Sequence, residues 1–330
     1  MMLSSSNRWT TLLLDKLPLI LLILIALFLP LLFSEYYLLL TGYILIAALL
    51  AQSFNLMFGF MGKLSFGHAG YFGIGAYTVA LIATNTKIPL LFSIPAAIIV
   101  TGIIATIIGF FCVRRSGYYF AILTMAFSQL LFVIVYKWYG FTHGDDGIHA
   151  IPVPTFLDSS VAQYYFNLVL IGIAMAILWK ITFSPFGYIL RCMRDNPVRT
   201  EFNGIKLTRY QLIAFVIAAL FAGFAGAIFT IFNRAVTPGI MDWTRSADPV
   251  IMTVIGGQFS FFGPLIGAVI FLFLQSYILG YTIFWPIIIG SILVIVVLFL
   301  PEGVTGLYQK ILKAIKQKHQ DKTKSELNKY

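Results

Sequence analysis

Four side chains that could do chemistry stand close together in one stretch: His143, Asp145, Asp146 and His149, in the run THGDDGIH. Two imidazoles and two carboxylates are metal-ligand types. The Gly-Asp-Asp-Gly order is also what a tight turn needs, and that turn explains the four residues without a metal. The two cysteines, Cys112 and Cys192, each lie beside a basic stretch and have neither zinc nor disulfide spacing. A second set is scattered through apolar sequence: Gln52, Asn55, His68, Thr124, Gln129 and Gln258, with Asn167 and Gln275. Amides and hydroxyls in such places bond helix to helix, or meet the charged ends of a small molecule that passes between helices. His68 has no carboxylate to relay a proton with. No Asp or Glu lies within the apolar windows to carry a proton or sodium, so energy has to come from outside this chain. These residue types form no catalytic constellation, and the reading is of a non-enzyme with no cofactor of its own.

The elements that must position these residues follow from the charge distribution. Asp, Glu, Lys and Arg are absent from 17–34, 36–62, 64–86, 88–113, 116–136, 159–179, 210–233 and 249–301. A spanning helix needs about 20 mostly apolar residues, and a charge at mid-bilayer costs a few kcal/mol. With 60% hydrophobic and 10% charged residues and a mean hydropathy of +0.93, the chain reads as an all-α integral membrane protein. The formal charge of +10 sits beside the spans, as the positive-inside pattern and anionic lipid heads require. That placement argues against nucleic acid as a partner. The 17–33 stretch is too long for a signal peptide and lacks a small-residue cleavage site, so it reads as a retained first helix.

Loop charges orient the crossings. The 308–330 tail carries seven lysines against Asp321 and Glu326, and 180–209 carries six basic residues against Asp195 and Glu201. Both belong inside, with Arg114 and Arg115. The 137–165 stretch has Lys137 against three acids and belongs outside, as does the stretch after Asn233. The 249–301 window starts outside and ends inside, and Gly256, Gly257, Gly263, Pro264 and Gly280 break it. About ten transmembrane helices follow, with both termini cytoplasmic and a short or broken segment near 249–264. Eight crossings plus a re-entrant hairpin satisfy the same charges. The chain thus divides into a cytoplasmic N-terminal stretch (1–16), a membrane domain (17–307) and a basic cytoplasmic tail (308–330).

Small residues mark the crowded helices, because close backbone approach replaces hydrophobic drive in lipid. Ser65, Ala69 and Gly73 form one such face, and Ala219, Gly223 and Ala227 another. The 184–209 loop is built differently. Phe186–Met193 and Val198–Phe202 fit two short helices, broken at Asp195-Asn196-Pro197, with Gly204 placed for a C-cap at positive φ. A stiff charged elbow of this kind suits a docking knob for a cytoplasmic partner.

This elbow resembles the loop that ABC-importer permeases insert into their ATPase subunits. More narrowly, the chain resembles the LivM family, permease subunits of branched-chain amino acid ABC importers. Four further stretches carry the likeness, in the family's order: GKLSFGHAGYFGIGAY (62–77), GYYFAILTMAFSQ (117–129), GDDGI (144–148) and GGQFSFFGPLIGA (256–268). The resemblance implies a multi-pass subunit of the bacterial cytoplasmic (inner) membrane that forms the pathway for aliphatic amino acids. It implies a second, LivH-like permease, two ATPase subunits that hold ATP and Mg, and an extracytoplasmic substrate-binding protein. By position, Arg191, Arg194, Asp195, Asn196, Glu201 and Gly204 would form the ATPase-coupling elbow, and Asp145 and Asp146 an outer-loop turn. Gln52, Asn55, His68, Thr124, Gln129 and Gln258 are the pathway candidates. Where relatives often read LGGLGT, this chain reads IGGQFS from Ile255, which leaves urea or short amides as an alternative substrate class. An ion-coupled secondary transporter is the more distant alternative.

Overall fold

The computed structural model describes residue 30 and residues 34–307, except 87, 116, 283 and 301. The N-terminal stretch, the first apolar window apart from Pro30 and Ser34, and the basic tail lie outside the described residues. Among the described residues, eleven helices of six residues or more carry the architecture: α1 (Glu35–Asn55), α2 (His68–Asn85), α3 (Leu90–Cys112), α4 (Tyr118–Lys137), α5 (Ser160–Thr182), α6 (Pro185–Asp195), α7 (Pro197–Phe202), α8 (Leu207–Asn233), α9 (Ala247–Gly256), α10 (Gly263–Leu279) and α11 (Trp285–Phe299). Short 3-10 turns join them, and α1 continues as a π-helical turn, Leu56–Phe60. The β pairing among the described residues is one isolated bridge, Ile148 with Val236.

Among the described residues, six helical stretches are long and apolar enough to cross a membrane: Glu35–Phe60, Leu90–Cys112, Tyr118–Lys137, Ser160–Thr182, Leu207–Asn233 and Trp285–Leu307. The chain is therefore a multi-pass membrane protein. Leu, Ile and Phe cover these helices on all sides, as helices surrounded by lipid or other helices require. Exposed Ile99, Ile103, Ile107, Phe110 and Ile122 form apolar outer flanks on α3 and α4.

The centre is the crossing of α2 and α8. A Cβ added at Gly226 would sit 1.8 Å from the Phe72 carbonyl oxygen, and one at Gly75 would sit 1.9 Å from that of Gly223. Only hydrogen at these positions lets the two backbones touch. Thr230 reinforces the crossing by donating to the Ala76 carbonyl at 3.0 Å. The small residues of α8 thus do what their spacing predicts. The stripe expected at Ser65, Ala69 and Gly73 is broken instead, because α2 begins only at His68 and Ser65 lies in the turn before it. The space at Gly73 is filled by Met241, which a Cβ there would meet at 1.9 Å.

The 249–301 window holds three helices, α9, α10 and α11, parted at the predicted glycines. At one end of the bundle, here the elbow end, the π turn, α6 and α7, residues 257–262 and Gly303 gather. Gly59 lies against the Gln258 backbone, and Gly303 against Gly257. At the opposite end Arg234 pairs with Asp158 at 3.0 Å, and Ile148 and Val236 exchange backbone bonds at 2.8 Å.

Candidate functional site

Three interruptions of regular structure converge between the elbow end and the interior of the bundle. The first is the 61–67 turn before α2. Its Phe66 N–H donates to Thr124 Oγ1 of α4 at 3.1 Å, and its Gly67 N–H to Ser65 Oγ at 3.3 Å. The second is the 257–262 turn, where the Ser260 carbonyl accepts from Asn55 Nδ2 at 3.3 Å. The third precedes α9, where Ser246 Oγ accepts from the Ala69 N–H at 3.1 Å. Breaks at such depth are tolerated inside protein or along a cavity.

Four of the six sequence candidates meet here. Gln52 and Asn55 lie on the buried face of α1, and His68 and Thr124 are equally buried. The His68 ring stacks edge-on against Phe54, 5.2 Å between centroids. It faces the Ser53 and Ser65 backbones without reaching hydrogen-bond geometry. Gln52 Oε1 and Asn55 Oδ1 also have no protein partner. Gln258 borders the group through its backbone at Gly59. Gln129 stands five residues beyond Thr124, about 7.5 Å along α4 by helical rise, with its buried Oε1 unpartnered. The buried hydroxyls of Ser65, Ser246 and Thr253 complete the layer. Sequence reasoning counted Ser65 only as a small packing residue, and passed over Thr253 in its apolar run and Ser246 in a charged stretch.

The stretch after Asn233 departs from its expected place beyond the helix ends. It leaves α8 at Arg234, then runs back into the bundle along α2: Val236 pairs with Ile148, Met241 fills the space at Gly73, and Ser246 reaches Ala69. Helix α9 continues from there to the elbow end.

The elbow forms as its Pro, Asn and Gly residues dictate. Pro185 and Pro197 open α6 and α7, Asn196 caps α7 by accepting from the Arg199 N–H at 2.9 Å, and Gly204 takes φ +82°. The structure splits the six elbow candidates. Arg194 and Arg191 turn toward the bundle. Arg194 Nη1 donates to the Gly59 carbonyl at 2.7 Å, and its guanidinium pairs with Asp195 at 2.9 Å and covers the Phe259 ring at 5.1 Å. Arg191 lies 5.1 Å from the rings of Phe60, Phe183 and Tyr188. Asp195, Asn196, Glu201 and Gly204 are exposed, beside Val198 and Phe202, the latter 87% exposed.

Lys63 belongs to the same end. Its Nζ donates to Gln211 Oε1 at 2.9 Å and to the Arg115 carbonyl at 3.2 Å, and sits 5.0 Å from the Phe120 ring. Burial pushes its ammonium down to about 8. At the opposite end Asp145 and Asp146 form an exposed 3-10 turn closed by Gly147 at φ +70°. His149 Nε2 bonds the Asp146 carbonyl oxygen at 2.8 Å. Among the described residues, no three His, Cys, Asp or Glu side chains come together as a metal site.

Comparison with known proteins gives the chain its relatives. Residues 36–300 match the family described as the branched-chain amino acid transport system / permease component. The high-affinity branched-chain amino acid transport system permease protein LivM of Salmonella typhimurium is 25% identical over 296 residues, covering 82% of this chain and 70% of that protein. LivM of Escherichia coli is 24% identical with the same coverage. A probable LivH permease of Methanocaldococcus jannaschii is 26% identical over 169 residues, covering 47% of this chain and 50% of that protein. No solved structure matches.

Proposed function

The chain belongs to the family of branched-chain amino acid transport permeases, and from that premise we propose that it is one half of the translocation pathway of an ATP-driven importer for aliphatic amino acids. The observation that carries the reading is the elbow: two short helices, the second capped by Asn196, with Val198, Glu201 and Phe202 outward and Arg194 bonded inward to Gly59. An element of this shape moves as a unit, because its own hydrogen bonds resist bending. Displacement by an ATPase closing on ATP shifts the π turn of α1 and the 257–262 turn together. Both border the buried polar layer, so the motion reaches the place where a small polar molecule would pass. ATP and Mg belong to the two ATPase subunits, and this chain supplies no hydrolytic residue. The elbow end then faces the cytoplasm of a bacterial cell. The Asp145–Asp146 turn faces a substrate-binding protein outside, and a LivH-like permease completes the pathway.

The polar layer supports a weakly specific channel. Gln52, Asn55, His68 and Thr124 offer amide, imidazole and hydroxyl contacts among apolar walls, and selectivity is left to the binding protein. The Gln258 amide at the break favours urea or short amides as the second reading. The test is association and uptake together. Glu201→Lys and Phe202→Ser should each reduce co-purification of the ATPases and uptake of leucine, with the permease itself still folded. Unchanged values in both assays for both variants would remove the docking role.

A further inference from the structure

We propose that Arg245 and Asp248 form a receptor for the zwitterionic head of an α-amino acid partway through the membrane, Arg245 taking the carboxylate and Asp248 the ammonium. The inference rests on the importer reading above and adds a substrate contact to it.

Depth is the first argument. Helix α9 has 10 residues and so rises about 15 Å, half of a hydrocarbon core of about 30 Å. Its C-terminus lies at the elbow end, where the Gly256 carbonyl accepts from Thr305 Oγ1 at 2.8 Å. Thr253, one turn before the end of α9, donates to the Ala51 carbonyl in the last turns of α1 at 3.3 Å. The residues that open α9 therefore lie well inside the bundle, and Ser246 bonds the first turn of α2 there.

Charge is the second. Arg245 Nη1 and Asp248 Oδ2 are 3.7 Å apart, too far for a tight hydrogen bond. The Arg245 side chain is 54% exposed and that of Asp248 25%. Among the described residues Asp248, at 3.7 Å, is the acid that meets this guanidinium, and a charge at this depth is costly unless polar groups surround it, so the exposed side of Arg245 is open to a polar occupant. Asp242 is no competitor for the guanidinium: its Oδ1 accepts from the Thr244 N–H at 2.9 Å and from Thr244 Oγ1 at 2.6 Å, which fixes the turn. A guanidinium binds a carboxylate through two parallel N–H donors. An amino acid brings both charges a few ångströms apart, matching a loosely joined pair of the opposite order. Trp243, 40% exposed on the same turn, supplies an apolar surface for an aliphatic side chain.

The test uses the assembled importer with Ala247→Cys in a Cys192→Ser background, without nucleotide or binding protein. The probe is a cationic methanethiosulfonate reagent. The site should be labelled, and leucine should slow labelling about tenfold or more, the scale of one lost charge-assisted contact. The amine lacking the carboxylate and the acid lacking the ammonium should not slow it. Arg245→Gln and Asp248→Asn should each abolish protection while labelling persists. A cysteine that never reacts would mean the turn is sealed against the second permease and would overturn the proposal. So would labelling indifferent to leucine in an importer that transports leucine. If the unaltered importer takes up no leucine at all, the functional reading fails first, and this inference falls with it.

Discussion

The guanidinium of Arg194 donates to the carbonyl oxygen of Gly59 at 2.7 Å, joining the elbow to the π turn that ends α1. The same side chain covers Phe259 of the 257–262 turn, so one residue ties three segments together. A π turn leaves carbonyls poorly served by the helix itself, and here a charged donor from another element serves one of them. A hydrogen bond to a charged group contributes about 1.5–3 kcal/mol.

Arg194→Gln should therefore uncouple rather than undock. ATPase subunits should still co-purify, because Arg194 faces away from the exposed Val198 and Phe202. Leucine uptake should fall about tenfold, the equivalent of about 1.4 kcal/mol in the linked equilibrium. Uptake at the unaltered rate would show that the Arg194–Gly59 bond transmits nothing.

The α2–α8 crossing predicts a severe packing effect. Gly226→Val places a branched side chain where even a Cβ would lie 1.8 Å from the Phe72 carbonyl oxygen. Backbone cannot yield as a flexible side chain does, so the cost should reach about 3 kcal/mol. Gly290→Val is the control, since a Cβ there meets nothing within 4 Å. Thermal unfolding in detergent should drop for the first variant and stay near the parent value for the second.

Lys63 gives a pH signature. Burial lowers its ammonium from 10.5 to about 8, so between those values the unfolded chain holds a proton that the folded chain has released. Stability contributed by this group must then rise with pH across about 8 to 10.5 and is absent below 8. Lys63→Met should flatten that part of the melting-temperature profile. An identical rise in both proteins would show that Lys63 is not desolvated as its contacts with Gln211, Phe120 and the Arg115 carbonyl imply.

Elements marked by local punctuation were legible in the sequence. Pro185, Asn196, Pro197 and Gly204 announce the elbow, and Gly256, Gly257, Gly263 and Pro264 part α9 from α10, because proline and glycine act through their own backbone. Features that depend on distant partners were not legible. Arg191 and Arg194 read as outward docking charges. Their inward turn follows from Gly59, Phe60 and Phe259, which lie far away in sequence. The return of 234–246 into the bundle was hidden for the same reason. Its charges match those of any loop, and only Gly73 and Ala69 on α2 show where it runs. Gln52, Asn55, His68 and Thr124 were found as polar exceptions in apolar windows, whereas Ser65 and Ser246 carry no such contrast.

The central claim is that transport through this chain draws its energy from ATP bound on the elbow side. Proteoliposomes holding this permease, a LivH-like permease and two ATPases should accumulate leucine, delivered by the binding protein, only when ATP is on the side of Glu201 and Phe202. This chain reconstituted alone should accumulate none under any ion gradient. Leucine accumulation by the lone chain on a proton or sodium gradient, or by the full assembly with ATP confined to the side of Asp145 and Asp146, would contradict the account.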